Sequence, residues 1–154
     1  MAHQQHGPTI EEQLPFATEW GFYSGTDTIL VGYAMCFAAS PADQYERARK
    51  LDKPASGNIT KPAGVVTKVE NMPDGTKRIY YIPLSGGAVN DIPLWCDESI
   101  TAGNVLGMKA ATYAFKKTTT GTADCAVAHE TVDRSSTAGV VNCHYGRTCG
   151  LALS

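Results

Sequence analysis

Short apolar segments alternate with turn residues along most of this chain. The stretch from residue 100 to residue 141 sets the pattern, because Thr-Ala-Gly introduces each of two apolar segments within it. Glycine adopts the positive φ that a sharp turn needs, and β-branched residues suit a strand. The pattern predicts strands over residues 105–108, 123–130 and 140–145. A Gly146-Arg147 turn is expected to lead into a last strand over residues 148–153.

The first half of the chain contains further strand signals. Residues 65–70 and 77–84 flank Met-Pro-Asp-Gly, where proline presets a turn and Asp-Gly closes it, so these two segments form a predicted hairpin. Residues 28–37 are almost continuously apolar and predict a buried strand. Residues 89–96 predict another strand.

One segment has helical signals instead. Ser40 is suited to an N-cap, Pro41 to the first helical position and Asp43 to the first turn. Good helix formers follow, and Arg49 and Lys50 complement the negative end of a helix. We predict one short helix over residues 41–51.

The first 25 residues lack periodicity and are predicted to form an extended arm, followed by a single β-rich domain over residues 26–154. The arm carries four aromatic side chains, Phe16, Trp20, Phe22 and Tyr23. Two interpretations remain open at this point. The rings pack on their own domain, or they anchor the arm on a neighbouring subunit, since Trp and Tyr are typical interface anchors.

The fold class that follows is all-β, a small β-barrel or sandwich with one short helix and an extended N-terminal arm. Composition agrees with this, because 15 Gly and 8 Pro in 154 residues suit short strands joined by tight turns. A net charge of −2 gives no reason to expect nucleic acid as a partner. No apolar run is long enough for a bilayer, the polar start lacks a signal-peptide core, and five scattered cysteines suggest reduced thiols in a cytoplasm.

Several Cys and His residues resemble a zinc site, but their spacing argues against one. Cys125 and His129 are four residues apart, which is about 13 Å along a strand, whereas both ligands of one zinc lie within about 2.3 Å of the metal. A Cys125–His144–Asp133 triad can be assembled only on paper, because any chain with this many Cys and His permits one. In the predicted register Cys143 and Cys149 point to opposite faces, which disfavours a disulfide. We therefore expect no catalytic residues, no metal and no cofactor.

Four segments resemble the small β-rich decoration, or cement, proteins of tailed-phage capsids. They are A-G-V-V from residue 63, I-P-L-S-G-G-A-V from residue 82, I-T-A-G-N-V-L-G from residue 100 and A-H-E-T-V-D-R-S-S-T-A-G-V-V from residue 128. The resemblance covers about the last 90 residues and rests on turn and strand motifs. The helical segment and the long arm depart from the pattern.

The resemblance implies a non-enzymatic virion protein that is made in the host cytoplasm and binds the outer surface of an assembled capsid. Its implied partners are the major capsid protein and itself, as a homotrimer at local three-fold positions, with arms that clip neighbouring capsomers. Alternatives are another phage structural subunit of the tail or head–neck region, and a small β-domain enzyme or carbohydrate-binding module. An enzyme is expected to show a concave pocket where His144, Cys125 or Asp133 converge.

Overall fold

A closed β-barrel packs against a curled five-stranded β-sheet in this protein. We call the barrel and the sheet the two layers. The computed structural model describes residues 18–84, 89–118 and 124–146. Strands dominate these residues and one short helix accompanies them, which confirms the predicted β class and barrel. In chain order the elements are β1 Glu19–Tyr23, β2 Ala34–Phe37, α1 Gln44–Arg49, β3 Leu51–Asp52, β4 Pro62–Asn71, β5 Lys77–Pro83, β6 Val89–Cys96, β7 Ser99–Ile100, β8 Val105–Met108, β9 Phe115–Lys117, β10 Asp124–Ala128, β11 Val132–Asp133 and β12 Gly139–Tyr145.

The second half of the chain closes into a barrel with the strand order β10-β12-β6-β9-β8. Its neighbours are antiparallel except β6 and β9, which run parallel and meet through the pair Cys96 and Phe115. Strands β7 and β11 form a separate two-stranded ladder. The barrel encloses the first core, whose largest fully buried side chains include Leu94, Ile100, Leu106, Phe115, Val141 and Tyr145.

The first half of the chain forms a five-stranded sheet in the order β1-β5-β4-β2-β3. The sheet curls until its edges approach, and Phe22 of β1 forms a parallel bridge with Lys50 just before β3. Gly21 permits this approach, because a Cβ there would lie 2.5 Å from the carbonyl oxygen of Arg49 and 2.8 Å from the side chain of Leu51. The curled sheet encloses a second core that includes Tyr23, Met35, Leu51, Val66, Ile79 and Tyr81.

Strand β2 belongs to both cores. Ala34 and Cys36 face the barrel core, whereas Met35, which lies between them, faces the second core. All three are fully buried, because successive side chains of a strand point to opposite faces and both faces are covered here. The apolar run that predicted a buried strand therefore has a physical origin in the two-sided burial of β2.

The segment that enters β2 ties the two layers together through its backbone. Gly32 accepts a hydrogen bond from the Trp95 amide of the barrel and donates one to the Val66 carbonyl of the sheet, both at 2.9 Å. The Val66 amide in turn donates to Tyr33, and the Ala34 amide donates to the Tyr113 carbonyl. The Tyr33 ring stacks on Tyr113 at 4.9 Å and meets Trp95 edge-on at 5.3 Å. Backbone hydrogen bonds connect this segment to both the barrel and the curled sheet, and the ring contacts of Tyr33 add to its contact with the barrel.

The two strongest local predictions are confirmed. Strands β4 and β5 form a hairpin around Met-Pro-Asp-Gly, with Gly75 at φ +90° and the Asp74 carboxylate accepting from the Thr76 amide. The Thr-Ala-Gly-Asn turn before β8 has Gly103 at φ +93°, and the Asn104 side chain accepts from the Thr101 amide. Local sequence chemistry fixes both turns.

The strand predicted over residues 28–37 is too long. Only Ala34–Phe37 is a strand, and the preceding residues turn at Gly32, which has φ +97°. Leu30 and Val31 are exposed rather than buried. An apolar run alone does not distinguish a buried strand from a turn with exposed aliphatic side chains.

The predicted helix is also shorter than expected, since α1 spans Gln44–Arg49 and not residues 41–51. Its N-cap is Asp43 rather than Ser40, because the Asp43 carboxylate accepts from the Glu46 amide at 2.9 Å. Glu46 reaches back to the Ala42 amide at 2.8 Å, which completes a reciprocal capping arrangement. Lys50 is already extended, and β3 follows at once.

Strand β12 has a neighbour on each side, with β10 on one edge and β6 on the other. The predicted return strand over residues 148–153 lies outside the described residues, as do Arg147 of the predicted Gly146-Arg147 turn and Cys149. Within β12 the predicted alternation is confirmed, because Val141, Cys143 and Tyr145 are buried in the barrel.

The close approach at Gly21 gives a stability prediction. Gly21→Ala forces the Arg49 carbonyl or the Leu51 side chain to move, so we expect a loss of about 1–3 kcal/mol in the free energy of unfolding. Gly57→Ala is the matched control, because a Cβ there meets only Ala39 at an ordinary 3.6 Å. Urea titrations followed by circular dichroism measure both variants. Equal stability of the two would show that the sheet edges do not need a glycine.

Candidate binding surface

The N-terminal aromatic residues mostly belong to the domain itself. Residues 19–23, assigned to the arm by the sequence pattern, form strand β1, which pairs in full register with β5 from Glu19–Tyr81 to Tyr23–Lys77. The domain therefore begins before residue 26. Tyr23 is only 4% exposed inside the second core, so it cannot anchor a partner. Phe16 lies outside the described residues.

Trp20 and Phe22 lie on the outer face of β1, where neighbouring side chains already cover much of them. The Arg49 and Arg78 guanidinium carbons lie 4.2 and 4.5 Å from the centroid of the Trp20 ring. Phe22 stacks on Tyr45 of α1 with centroids 5.8 Å apart. Cation–π and stacking contacts of this kind fix the rings on their own domain. Trp20 and Phe22 thus pack on their own domain, and their role as interface anchors stays a prediction.

An exposed apolar patch lies elsewhere, at the junction of the two layers. Leu30 is 40% exposed, Val31 48% and Val140 37%, and the partly exposed ring of Trp95 lies opposite Val140 in the pairing of β6 with β12. Gly32 holds the turn against this barrel face, since a Cβ there would lie 3.2 Å from the Val140 side chain. We call Leu30, Val31 and Val140 the junction patch. Clustered exposed aliphatic side chains on a rigid turn are typical of a protein-binding surface.

Within the described residues, the members of the candidate zinc site and triad lie in different environments. Cys125 and Cys143 are buried in the barrel, whereas His129 and Asp133 lie on its surface. His144 contacts the Asn90 side chain, and its ring lies 6.0 Å from that of His129. Among residues 18–84, 89–118 and 124–146, no group of three or more His, Cys, Asp or Glu side chains is arranged to hold a metal ion.

The buried thiols of Cys36, Cys96 and Cys143 stay protonated at neutral pH. Burial raises the pKa of Cys36, Cys96 and Cys143 to about 12. Cys125 is only 1% exposed. A thiolate is the nucleophile in cysteine chemistry, so these side chains serve as small apolar core residues.

A short chain of hydroxyl groups connects the second core to the surface. The Tyr23 and Tyr113 hydroxyl oxygens lie 2.9 Å apart, and Tyr113 donates to the Asp27 carboxylate at 2.8 Å. The hydrogen bond from Tyr113 lowers the pKa of Asp27, and the nearby Lys53 ammonium, 3.5 Å away, lowers it further. Burial raises the pKa of Tyr113, so its proton stays on the hydroxyl. The network thus arranges the side chains of Tyr23, Tyr113 and Lys53 around the charged form of Asp27.

Sequence patterns give no sign of two features of this surface. Tyr45 and Arg49 were predicted only as helix residues, yet they cover Phe22 and Trp20. The junction patch joins residues more than 100 positions apart, and its one local signal is the glycine that follows Leu30 and Val31. The hydrogen bonds of Gly32 to Trp95 of the barrel and to Val66 of the sheet bring these residues together.

Comparison with known proteins adds no assignment: no protein-family model matches this chain, and no curated protein matches it. Within the described part of the chain, no helix has the length and apolar character needed to cross a membrane.

The raised thiol pKa values predict slow alkylation. At pH 8 a thiol of pKa about 12 is ionised in about one molecule in ten thousand, and burial blocks access as well. In a Cys149→Ser variant, we expect iodoacetamide to leave the folded protein unmodified and to add four groups after denaturation in guanidinium. Mass spectrometry counts the adducts. Rapid labelling of a thiol in the folded protein would contradict the burial described above.

The Asp27 network predicts a pH-dependent stability. Because the folded-state pKa of Asp27 is lowered, its contribution is present above the unfolded value of about 3.9 and is lost as pH falls through the folded value. Tyr113→Phe removes the hydrogen bond, so we expect this variant to be less stable than wild type at pH 7 and the difference to shrink toward pH 3. Tyr45→Phe is the control, since its ring is 58% exposed. Urea titrations at both pH values measure the differences, and an equal deficit at both would contradict this role of Asp27.

Proposed function

We propose that this protein is a structural virion protein that binds the outer surface of a tailed-phage capsid and stabilises the shell. The family resemblance given above suggests the partner, which is the major capsid protein. The single observation that carries the proposal is the junction patch, where Leu30, Val31 and Val140 are exposed on a turn held rigidly between the two layers. A rigid apolar surface binds a protein partner without paying an ordering cost.

The resembling motifs support this function because of where they lie. Thr101 to Asn104 form the turn that receives the end of β10, since the Gly103 amide donates to the Ala128 carbonyl at 2.8 Å. The A-G-V-V motif lies in β4, where Val65 faces the barrel core and Val66 the second core. The motifs that resemble those of decoration proteins thus lie in the turns and strands of the folded frame.

Decoration acts through many copies. Each copy contributes a modest contact, and a shell that carries many of them gains stability through the sum of these contacts. A homotrimer at a local three-fold position multiplies the contacts again, because each copy presents its own junction patch. The protein would be made in the host cytoplasm and would end on the capsid exterior.

Binding to empty, expanded capsids of the phage that encodes the protein tests the proposal. We expect wild type to sediment with the shells, and Leu30→Ser combined with Val31→Ser to weaken binding by about tenfold or more, as for the loss of central apolar contacts at an interface. Tyr45→Ser is the control, because Tyr45 is 58% exposed, more than Leu30 or Val31, and lies on α1 rather than on the patch.

Each result has a defined meaning. A wild-type protein that does not sediment with shells rules out the capsid function, and sedimentation with purified tails instead supports a tail or head–neck subunit. Equal loss in the patch variant and in Tyr45→Ser would assign the contact to a different surface. The mass of the purified protein in solution, determined alongside, is expected to be that of a trimer.

A further inference from the structure

Residues of β1, α1, β5 and the β4–β5 hairpin turn line a cleft of about 360 Å³. Small-molecule sites in proteins commonly have volumes of about 300–1,000 Å³, so the cleft is large enough for a small ligand. Its lining combines the aromatic residues Trp20, Phe22 and Tyr45 with the charged residues Asp74 and Arg78. The cleft shares no residue with the junction patch, so it is a second candidate binding surface.

The aromatic side of the cleft has an accessible ring. Tyr45 is 58% exposed, and its ring stacks on Phe22 with an interplanar angle of 16°. Trp20 and Phe22 are partly buried beside it. Helix α1 buries none of its own side chains, so core packing does not account for the position of Tyr45. An accessible aromatic ring in a cleft offers a flat apolar face to a ligand.

The Arg78 guanidinium supplies hydrogen-bond donors to the same cleft. Its central carbon lies 4.5 Å from the centroid of the Trp20 ring, and this cation–π contact holds it in place. Its cross-strand neighbour Glu70 is engaged by Lys68 at 3.4 Å and by the Tyr80 hydroxyl at 3.1 Å. Among the described residues, the Arg78 side chain forms no ion pair and no hydrogen bond, which leaves its five N–H donors for a ligand.

The Asp74 carboxylate supplies hydrogen-bond acceptors. Its Oδ1 accepts from the Thr76 hydroxyl at 2.6 Å and from the Thr76 amide at 2.9 Å. These hydrogen bonds hold the pKa of Asp74 below its ordinary value, so the side chain is charged at neutral pH. A carboxylate has about four acceptor sites, and two hydrogen bonds leave some of them for a ligand. The Gly75 amide donates to the Met72 carbonyl at 3.0 Å, which fixes the turn that carries Asp74.

The charges and the ring together restrict the class of ligand. An anion bound by Arg78 would share the cleft with the Asp74 carboxylate, and a cation bound by Asp74 would share it with Arg78. A neutral ligand that both donates and accepts hydrogen bonds can use both side chains, and hydroxyl groups do so. A hexopyranose carries hydroxyls around its rim and presents C–H groups on one face, which packs on an aromatic ring.

We propose that this cleft binds a neutral hexopyranose residue of an oligosaccharide. The sugar ring packs on Tyr45, and its hydroxyls donate to Asp74 and accept from Arg78. The contact between Arg78 and Trp20 then serves to position the guanidinium before the ligand arrives. The inference goes beyond the capsid function and does not depend on it.

NMR titration of the isotope-labelled full chain tests this proposal, with glucose, galactose and mannose each added to about 100 mM. With at least one sugar we expect saturable shifts of the amides of residues 72–78 and of the Trp20 indole. Tyr45→Ser removes the stacking ring, and Asp74→Asn removes the charge while its amide oxygen still accepts from Thr76. We expect each variant to weaken binding about tenfold, the factor for one stacked ring or one charged hydrogen bond.

Two control variants accompany the titration, and the spectrum of each variant shows whether it is folded. Tyr45→Phe keeps the ring and is expected to keep most of the affinity. Leu30→Ser combined with Val31→Ser changes only the junction patch and is expected to bind the sugar as wild type does. Because Tyr45→Ser is expected to lose the sugar and to keep the capsid shells, failure of this proposal is distinguishable from failure of the capsid function.

Each outcome either supports the proposal or overturns it. Absence of shifts with all three sugars overturns it. Equal affinity of wild type, Tyr45→Ser and Asp74→Asn would place the sugar on another surface and overturn it as well. Shifts with N-acetyl-aspartate amide but with none of the sugars would assign the cleft to an acidic peptide, which also overturns sugar binding.

Discussion

The hydrogen bonds made by the three residues that enter β2 hold this structure together. Gly32 is bonded to Trp95 on one side and to Val66 on the other, and Ala34 is bonded to Tyr113. One short segment is therefore hydrogen-bonded to both the barrel and the curled sheet. One face of β2 is buried in the barrel core and the other in the second core. Loss of either core would expose one face of this strand, so we expect the barrel and the curled sheet to unfold as one cooperative unit.

The same constraint explains where binding surface remains. β1 and α1 are occupied with closing the curled sheet, which commits Trp20, Phe22 and Tyr23 to their own domain. The turn before β2 must pass over the outside of the barrel to reach its position between the layers, and it leaves Leu30 and Val31 exposed there. Exposed apolar surface is thus a consequence of how the two layers are connected.

Local chemistry made much of the fold predictable. Pro-Asp-Gly specifies the β4–β5 hairpin, and Thr-Ala-Gly-Asn specifies the turn before β8, because each encodes its backbone conformation within four residues. The packing of the barrel against the curled sheet and the position of the junction patch were not predictable, since both depend on contacts between residues far apart in sequence. The run over residues 28–37 shows the limit: its composition is the same for a buried strand and for an exposed turn, and only Gly32 decides between them.

The position of β12 in the barrel has a consequence for synthesis of the chain. Strand β12 lies between β10 and β6, so the barrel has a gap in its middle until residue 145 has been made. Without β12, the core-facing side chains of β6, β8 and β10 are incompletely covered, and these include the thiols of Cys96 and Cys125. A chain that lacks β12 therefore leaves the facing edges of β6 and β10 unpaired, and unpaired strand edges beside uncovered apolar side chains favour aggregation.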